Sequence, residues 1–180
     1  DIEYRRMLAS GDCYGLNYLL GLRYGNLHQS FSSAFANSTT QETVNTRNDF
    51  DGVGIRFGLE GERFAPCTGW SIYGKGYASF LGGVFHNTYT QADNFRGTVV
   101  NTGWNEDRVV SMLDGEIGLG WTSCNGCLRI TTGYMVSAWM NTINTDDFIR
   151  SVQRNSSSNS PNLDGVITFD GVTTRLEIRF

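Results

Sequence analysis

No stretch of this chain approaches the ~20 consecutive apolar residues that a membrane-crossing helix needs, so helical spans are excluded. Proline is nearly absent, with two in 180 residues, which leaves long segments free to pair as strands. An excess of one charge is missing too. Fourteen Lys+Arg stand against 18 Asp+Glu, a net charge of −4, with no basic run or aromatic–basic cluster. A nucleic-acid partner is not expected from such a balance. The chain opens on strand-like sequence with no secretory leader, so any targeting segment is expected to lie outside it. What is plentiful is glycine (22 residues) and aromatic side chains (13%), a mixture that suits strands and turns. The mean hydropathy of −0.28 would suit a soluble domain. A transmembrane β-strand, however, meets lipid with only every second residue and escapes that average.

The stretch from Tyr14 to Tyr24 shows such alternation. Tyr14, Leu16, Tyr18, Leu20, Leu22 and Tyr24 share one parity, and Gly15, Asn17, Gly21 and Arg23 fall on the other. A period of two is a β-strand with one apolar face, and aromatic residues at both ends of that face suit the two edges of a bilayer. Six further strands repeat the pattern: about Ile2–Leu8, Gly52–Arg63, Trp70–Val84, Arg108–Trp121, Leu128–Met140 and Gly171–Phe180. Phe57, Ile117, Trp121 and Ile178 join the lipid-facing set. The opposite parity collects Arg23, Arg56, Glu60, Glu62, Lys75, Asp114, Glu116, Arg129, Arg175, Glu177 and Arg179. Charge facing lipid at mid-depth costs ~2–4 kcal/mol for each Arg or Lys, so these residues are expected to line an interior, as a channel wall or as a salt-bridged filling.

The connections alternate short and long. Ala9–Cys13, Ala65–Gly69 and Ser123–Cys127 are short; Gln29–Asp51, Phe85–Asp107 and Thr142–Gly165 are long and polar. Tight periplasmic turns and long external loops give this asymmetry in up-and-down outer-membrane barrels; Greek-key sandwiches do not. The expected fold is therefore all-β: an antiparallel up-and-down transmembrane β-barrel, one domain over residues 1–180. Seven strands is an odd number, whereas bacterial single-chain barrels have an even one. The chain is thus expected to be the C-terminal part of a larger barrel, with N-terminal strands missing or supplied by another chain.

Cys13, Cys67, Cys124 and Cys127 all fall in or beside the short turns. In an oxidising periplasm they are disulfide candidates, with Cys124–Cys127 and Cys13–Cys67 among the pairings. A single CxxC without a second one does not make a zinc site, and no metal or other cofactor is expected. His28-Gln29-Ser30 has the His-x-Ser form of outer-membrane lipid A deacylases, in which His would activate a Ser nucleophile. No acidic partner is evident in the sequence, so two polar residues opening an external loop is the stronger alternative. Phe180, in phase with Val172, Leu176 and Ile178, resembles the C-terminal assembly signal of outer-membrane proteins.

Several segments together resemble the Legionella-type major outer membrane proteins, a pore-forming family also widespread in planctomycetes. They are Gly21-Leu-Arg-Tyr24 with Asn26-Leu-His-Gln29, then Gly52-Val-Gly-Ile-Arg-Phe-Gly-Leu-Glu-Gly-Glu-Arg63, the run from Trp70 to Gly82, and the Arg175–Phe180 ending. Asp1-Ile-Glu-Tyr-Arg-Arg6 is similar to an internal strand of that family. The resemblance implies a pore for small solutes or ions in a bacterial outer membrane, and no enzyme activity. Its partners would be membrane lipid, lipopolysaccharide, the barrel-assembly machinery and further chains, identical or not. The alternatives are a non-conducting barrel that anchors a surface layer, a soluble lipocalin-like binding barrel and the deacylase.

Overall fold

The computed structural model describes residues 1–36, 41–66, 68–123, 126–145, 149 and 164–178. The elements among the described residues are the strands β1 (Ile2–Gly11), β2 (Tyr14–Ala36), β3 (Gln41–Phe64), β4 (Trp70–Asp93), β5 (Gly97–Thr122), β6 (Leu128–Thr142) and β7 (Gly165–Ile178). They form one antiparallel sheet in sequence order, each strand paired with its chain neighbours. This is the up-and-down arrangement expected, but β1 and β7 are open edges among the described residues. The sheet is not closed here.

It is strongly curved. Arg23 on β2 reaches Asp114 on β5 at 2.5 Å, and Arg129 on β6 reaches Glu62 on β3 at 2.6 Å. Strands three apart in a flat sheet would be ~14 Å apart, farther than one side chain spans. The inward face is therefore concave, and ion pairs tie it across the hollow.

The long loops expected at Gln29–Asp51 and Phe85–Asp107 are not loops. β2 pairs with β3 out to Ala36↔Gln41, and β4 with β5 to Asp93↔Gly97. These strands run to 23–26 residues, well past the ~9–11 that cross a bilayer. The reason lies in a change of phase. From Val53 to Leu59 the apolar residues of β3 face outward, whereas Phe50 and Val44, on the opposite parity, are buried. β4 switches likewise, from Ile72 and Phe80 outside to Leu81, Phe85 and Tyr89 inside. Alternation continues with its sign reversed, so the backbone stays extended and half-buried.

The switch follows the register. On the outward face Tyr24, Val53, Gly82 and Val109 form the last apolar row, and Asn26, Asp51, Val84 and Asp107 form the next. Inside, Gly25, Gly52 and Gly83 lie between them. A Cβ on Gly25 would meet Leu81 at 2.6 Å, and one on Gly52 would meet the Phe50 ring at 2.5 Å. The glycines are the floor on which those side chains rest. Around them Val44, Phe50, Leu81, Phe85, Tyr89, Val110, Met112 and Ile143 form the buried apolar cluster, flanked by Leu27 and Trp139.

Ile143 reaches the cluster because the chain leaves β6 abruptly. Asn141 takes a left-handed conformation (φ 62°) at a register shift between Met140 and Thr142, which asparagine tolerates better than most residues. Its amide donates to Val109 O at 2.8 Å. Ile143 is fully buried, Gln29 donates to its carbonyl at 3.1 Å, and Asn48 donates to Thr145 at 3.3 Å. The segment after β6 thus lies across the concave side, against β2 and β3.

Candidate functional site

The outward face carries the alternate residues predicted to meet lipid. Tyr14, Leu20, Leu22, Tyr24, Phe57, Ile117 and Ile178 are exposed, Leu20 at 56% and Ile117 at 64%; Leu16, Tyr18 and Trp121 are partly covered by neighbours on the same face. Val53, Ile55, Leu59, Ile72, Leu113, Leu119, Val172 and Leu176 continue the surface. Its exposed area is a continuous apolar sheet bounded by rings, Tyr14, Trp70 and Trp121 near the short turns and Tyr24 toward the opposite end, with Tyr134 beside Ile117 within it. Tyr24 donates to Asp51 at 2.7 Å, and Tyr134 to Asp170. Tyrosines whose rings lie on apolar surface while the hydroxyls reach a carboxylate are what a hydrocarbon–water boundary selects.

The concave face carries the charges. Arg23, Arg56, Glu60, Glu62, Lys75, Asp114, Glu116, Arg129, Arg175 and Glu177 all lie there; Arg179 and the Phe180 terminus fall outside the described residues. Glu60, Lys75 and Glu116 are direct register partners on β3, β4 and β5. Glu116 accepts two bonds from Arg175, at 2.5 and 2.8 Å, and one each from Tyr73 (2.8 Å) and Thr173 (3.2 Å). Glu60 accepts from Tyr77 at 2.5 Å and pairs with Arg5 at 3.1 Å. Arg56 bonds Asp1 at 2.7 Å and lies over the Tyr77 ring at 4.2 Å.

Tyr73 and Tyr77 were not among the residues singled out from the sequence. Their positions explain the inward glycines. A Cβ on Gly118 or Gly133 would meet the Tyr73 hydroxyl at 2.7 or 2.5 Å, and one on Gly58 would meet the Tyr77 ring at 2.2 Å. Each ring lies flat over a bare stretch of backbone, which repairs the sheet where glycine leaves it uncovered and delivers the hydroxyl to a glutamate. The signal was in the sequence as inward tyrosines one or two strands from inward glycines. Register was needed to join them. Asp1, Glu3 and Arg5 on β1 were also missed, because that strand shows little alternation.

Beyond the apolar band, His28 on β2 meets Asp49 on β3, which also takes a 2.6 Å bond from Arg47. Register thus supplies the acidic neighbour that was not evident in sequence. Burial pushes the Asp49 carboxyl up, but the donors His28 and Arg47 together outweigh it and hold the group below its ordinary value. Asp51 is lowered too, first by the Tyr24 hydroxyl and then by the Asn26 amide. Ser30 shares that outward face, yet among the described residues no hydrogen bond joins its hydroxyl to the His28 ring. The nucleophile–base contact of a hydrolase is not made.

The turn cysteines do not assemble into a described bridge. Cys13 sits in the β1–β2 turn, where its carbonyl accepts from Phe64 N at 2.7 Å, and its thiol is free. Cys127 directly precedes β6, while Cys67 and Cys124 fall outside the described residues. Among the described residues no group of three or more His, Cys, Asp or Glu is placed to hold a metal ion.

A curved antiparallel sheet with a ring-bounded apolar outside and a charged, ion-paired inside defines a class: an outer-membrane β-sheet protein. The family model of the Legionella pneumophila major outer membrane protein precursor matches residues 1–169. The chain belongs to that family, and its place is the bacterial outer membrane. No curated protein and no solved structure matches it.

Proposed function

We propose that this sheet is the wall of a closed outer-membrane β-barrel that passes small solutes or ions passively, with the short turns in the periplasm and the β2–β5 extensions outside. The observation that carries this is the charged concave face between the two boundary rows. At least ten ionisable side chains converge on a hollow whose far side is lipid-facing, and ion pairs of that kind need water or each other. The open edges support closure by further strands, because unpaired backbone groups are not tolerated in hydrocarbon. Strands outside residues 1–180, or other copies of the chain, would supply it. Lipopolysaccharide and the assembly machinery are the expected partners, and no catalytic role is assigned.

A second interpretation, a barrel without conductance that anchors a surface layer, draws on the apolar cluster that fills the concave side around and beyond the glycine row. Planar-bilayer recordings of the intact protein separate the two. Discrete, ohmic conductance steps support the pore; a folded, membrane-inserted protein that stays silent refutes it and leaves the anchor.

A further inference from the structure

Register places Lys75 between two glutamates on the concave face, yet among the described residues no carboxylate lies within 4 Å of its ammonium. Glu116 is occupied by Arg175, Tyr73 and Thr173, and Glu60 by Tyr77 and Arg5. Glu62 takes Arg129 at 2.6 Å. An ionised carboxylate has about four acceptor sites, and Glu116 takes three bonds on Oε1 and one on Oε2. Lys75 instead lies 5.2 Å from the centre of the Tyr73 ring and lines, with Arg5, Arg129 and Arg175, a basin of about 410 Å³.

Formal charge there is even, four cations against Glu60, Glu62, Glu116 and Glu177. Their heights are not. The Arg5 side chain is 54% exposed over a Glu60 that is 12% exposed, and Arg175 is 43% exposed over a Glu116 that is 5% exposed. Glu60 and Glu116 are pinned into the wall by the Tyr77 and Tyr73 hydroxyls, with Arg5 and Arg175 in front of them, whereas Glu62 lies level with Arg129 and Glu177 is exposed. At Glu60 and Glu116 a visiting cation would have to displace an arginine to find an acceptor. A visiting oxyanion finds donors already pointing at it.

We propose that the basin around Lys75 binds small oxyanions in transit, of which phosphate is the simplest. This rests on the pore assignment above, and the test keeps the two apart. In planar bilayers holding the intact protein in potassium chloride, inorganic phosphate should block the chloride current. Lys75→Met should weaken the block roughly tenfold, the worth of one charge-assisted hydrogen bond, while Lys75→Arg should retain most of it. Absence of block in the unsubstituted protein, or an undiminished block in Lys75→Met, overturns the site. If no channel opens at all, the pore assignment fails by itself. Calorimetric titration of phosphate into detergent-solubilised protein then decides the site, with binding lost in Lys75→Met supporting it and binding equal in both overturning it.

Discussion

Replacing Leu20 by arginine tests the assignment of the outward face more directly than any other change. Leu20 is 56% exposed on β2 between Tyr14 and Tyr24. At ~3.3 Å per residue it lies about 20 Å along the strand from the first ring and 13 Å from the second. A tilt near 45° turns these into ~14 and ~9 Å of depth, which places Leu20 in the middle third of the apolar band. An arginine at that depth should cost ~2–4 kcal/mol. Ser30→Arg, on the same face of the same strand but beyond the boundary row, should cost at most ~1 kcal/mol. Were the sheet water-soluble, both positions would be ordinary surface, and both changes would fall within ~0.5 kcal/mol of zero. Urea titration of the intact protein folded in phospholipid vesicles, followed by tryptophan fluorescence, measures the difference. Equal midpoints for the two variants would refute the lipid-facing assignment, whatever happens to conductance.

Four other outcomes follow from the same geometry. Gly133→Ala should cost ~1–3 kcal/mol of folding stability, as overpacking does, because its Cβ would meet the Tyr73 hydroxyl at 2.5 Å and Ile117 O at 2.7 Å; Gly115→Ala, with nothing within 4 Å, should be neutral or slightly stabilising in the same titration. Arg175→Met strands the nearly buried Glu116 carboxylate and should cost ~1–3 kcal/mol, with Arg175→Lys recovering part of it. Ile143→Ala should cost ~2–4 kcal/mol and raise proteolytic cleavage after β6. Asp49 and Asp51 are held below their ordinary values, so their contribution is present above the unfolded aspartate pKa and is lost as pH falls through the folded one. Amide exchange around Asn26–Ser30 and Arg47–Asp51 should accelerate on acidification, and a pH-independent profile would contradict this.

Much of the membrane-spanning part could be read from the chain because a single phase of alternation runs through it. Val53 to Leu59 keeps its apolar residues on one parity, and Tyr14 to Tyr24 and Val109 to Trp121 depart from it only at the buried Leu19, Val110 and Met112, so strand, face and residue role follow together. The outer half was hidden by the same rule. Between Asp51 and Gly52, and again between Phe80 and Leu81, the apolar parity inverts, and a reading that seeks one phase ends the strand there. The polar Asn, Ser and Thr residues of these extensions belong to a water-facing side whose partner side, with Phe50, Phe85 and Tyr89, is apolar. Contacts such as Tyr73 with Glu116, or His28 with Asp49, join residues 43 and 21 positions apart. They depend on register, which parity does not supply.

Both faces change character within a few rows of the glycine row, and changes so close together need a joint cause. Outside, Tyr24, Val53 and Val109 give way to Asn26, Asp51 and Asp107. Inside, Arg23 and Arg56 share their rows with the buried Leu81, Val110 and Met112, and Leu27, Phe50 and Phe85 follow across the glycine row. In water, a sheet gains nothing by turning its apolar face outward for eleven residues and inward for the next twelve on β2. Hydrocarbon around the first part and water around the second impose that change on the outer face. The inner face is then free to carry charge where the wall is enclosed by membrane, and has to pack an apolar core where the extensions stand in water and need support of their own. The boundary row is therefore a property of the solvent, written across four strands. If a spin label at position 24 and one at 30 were equally accessible to a lipid-soluble quencher, that boundary would not exist.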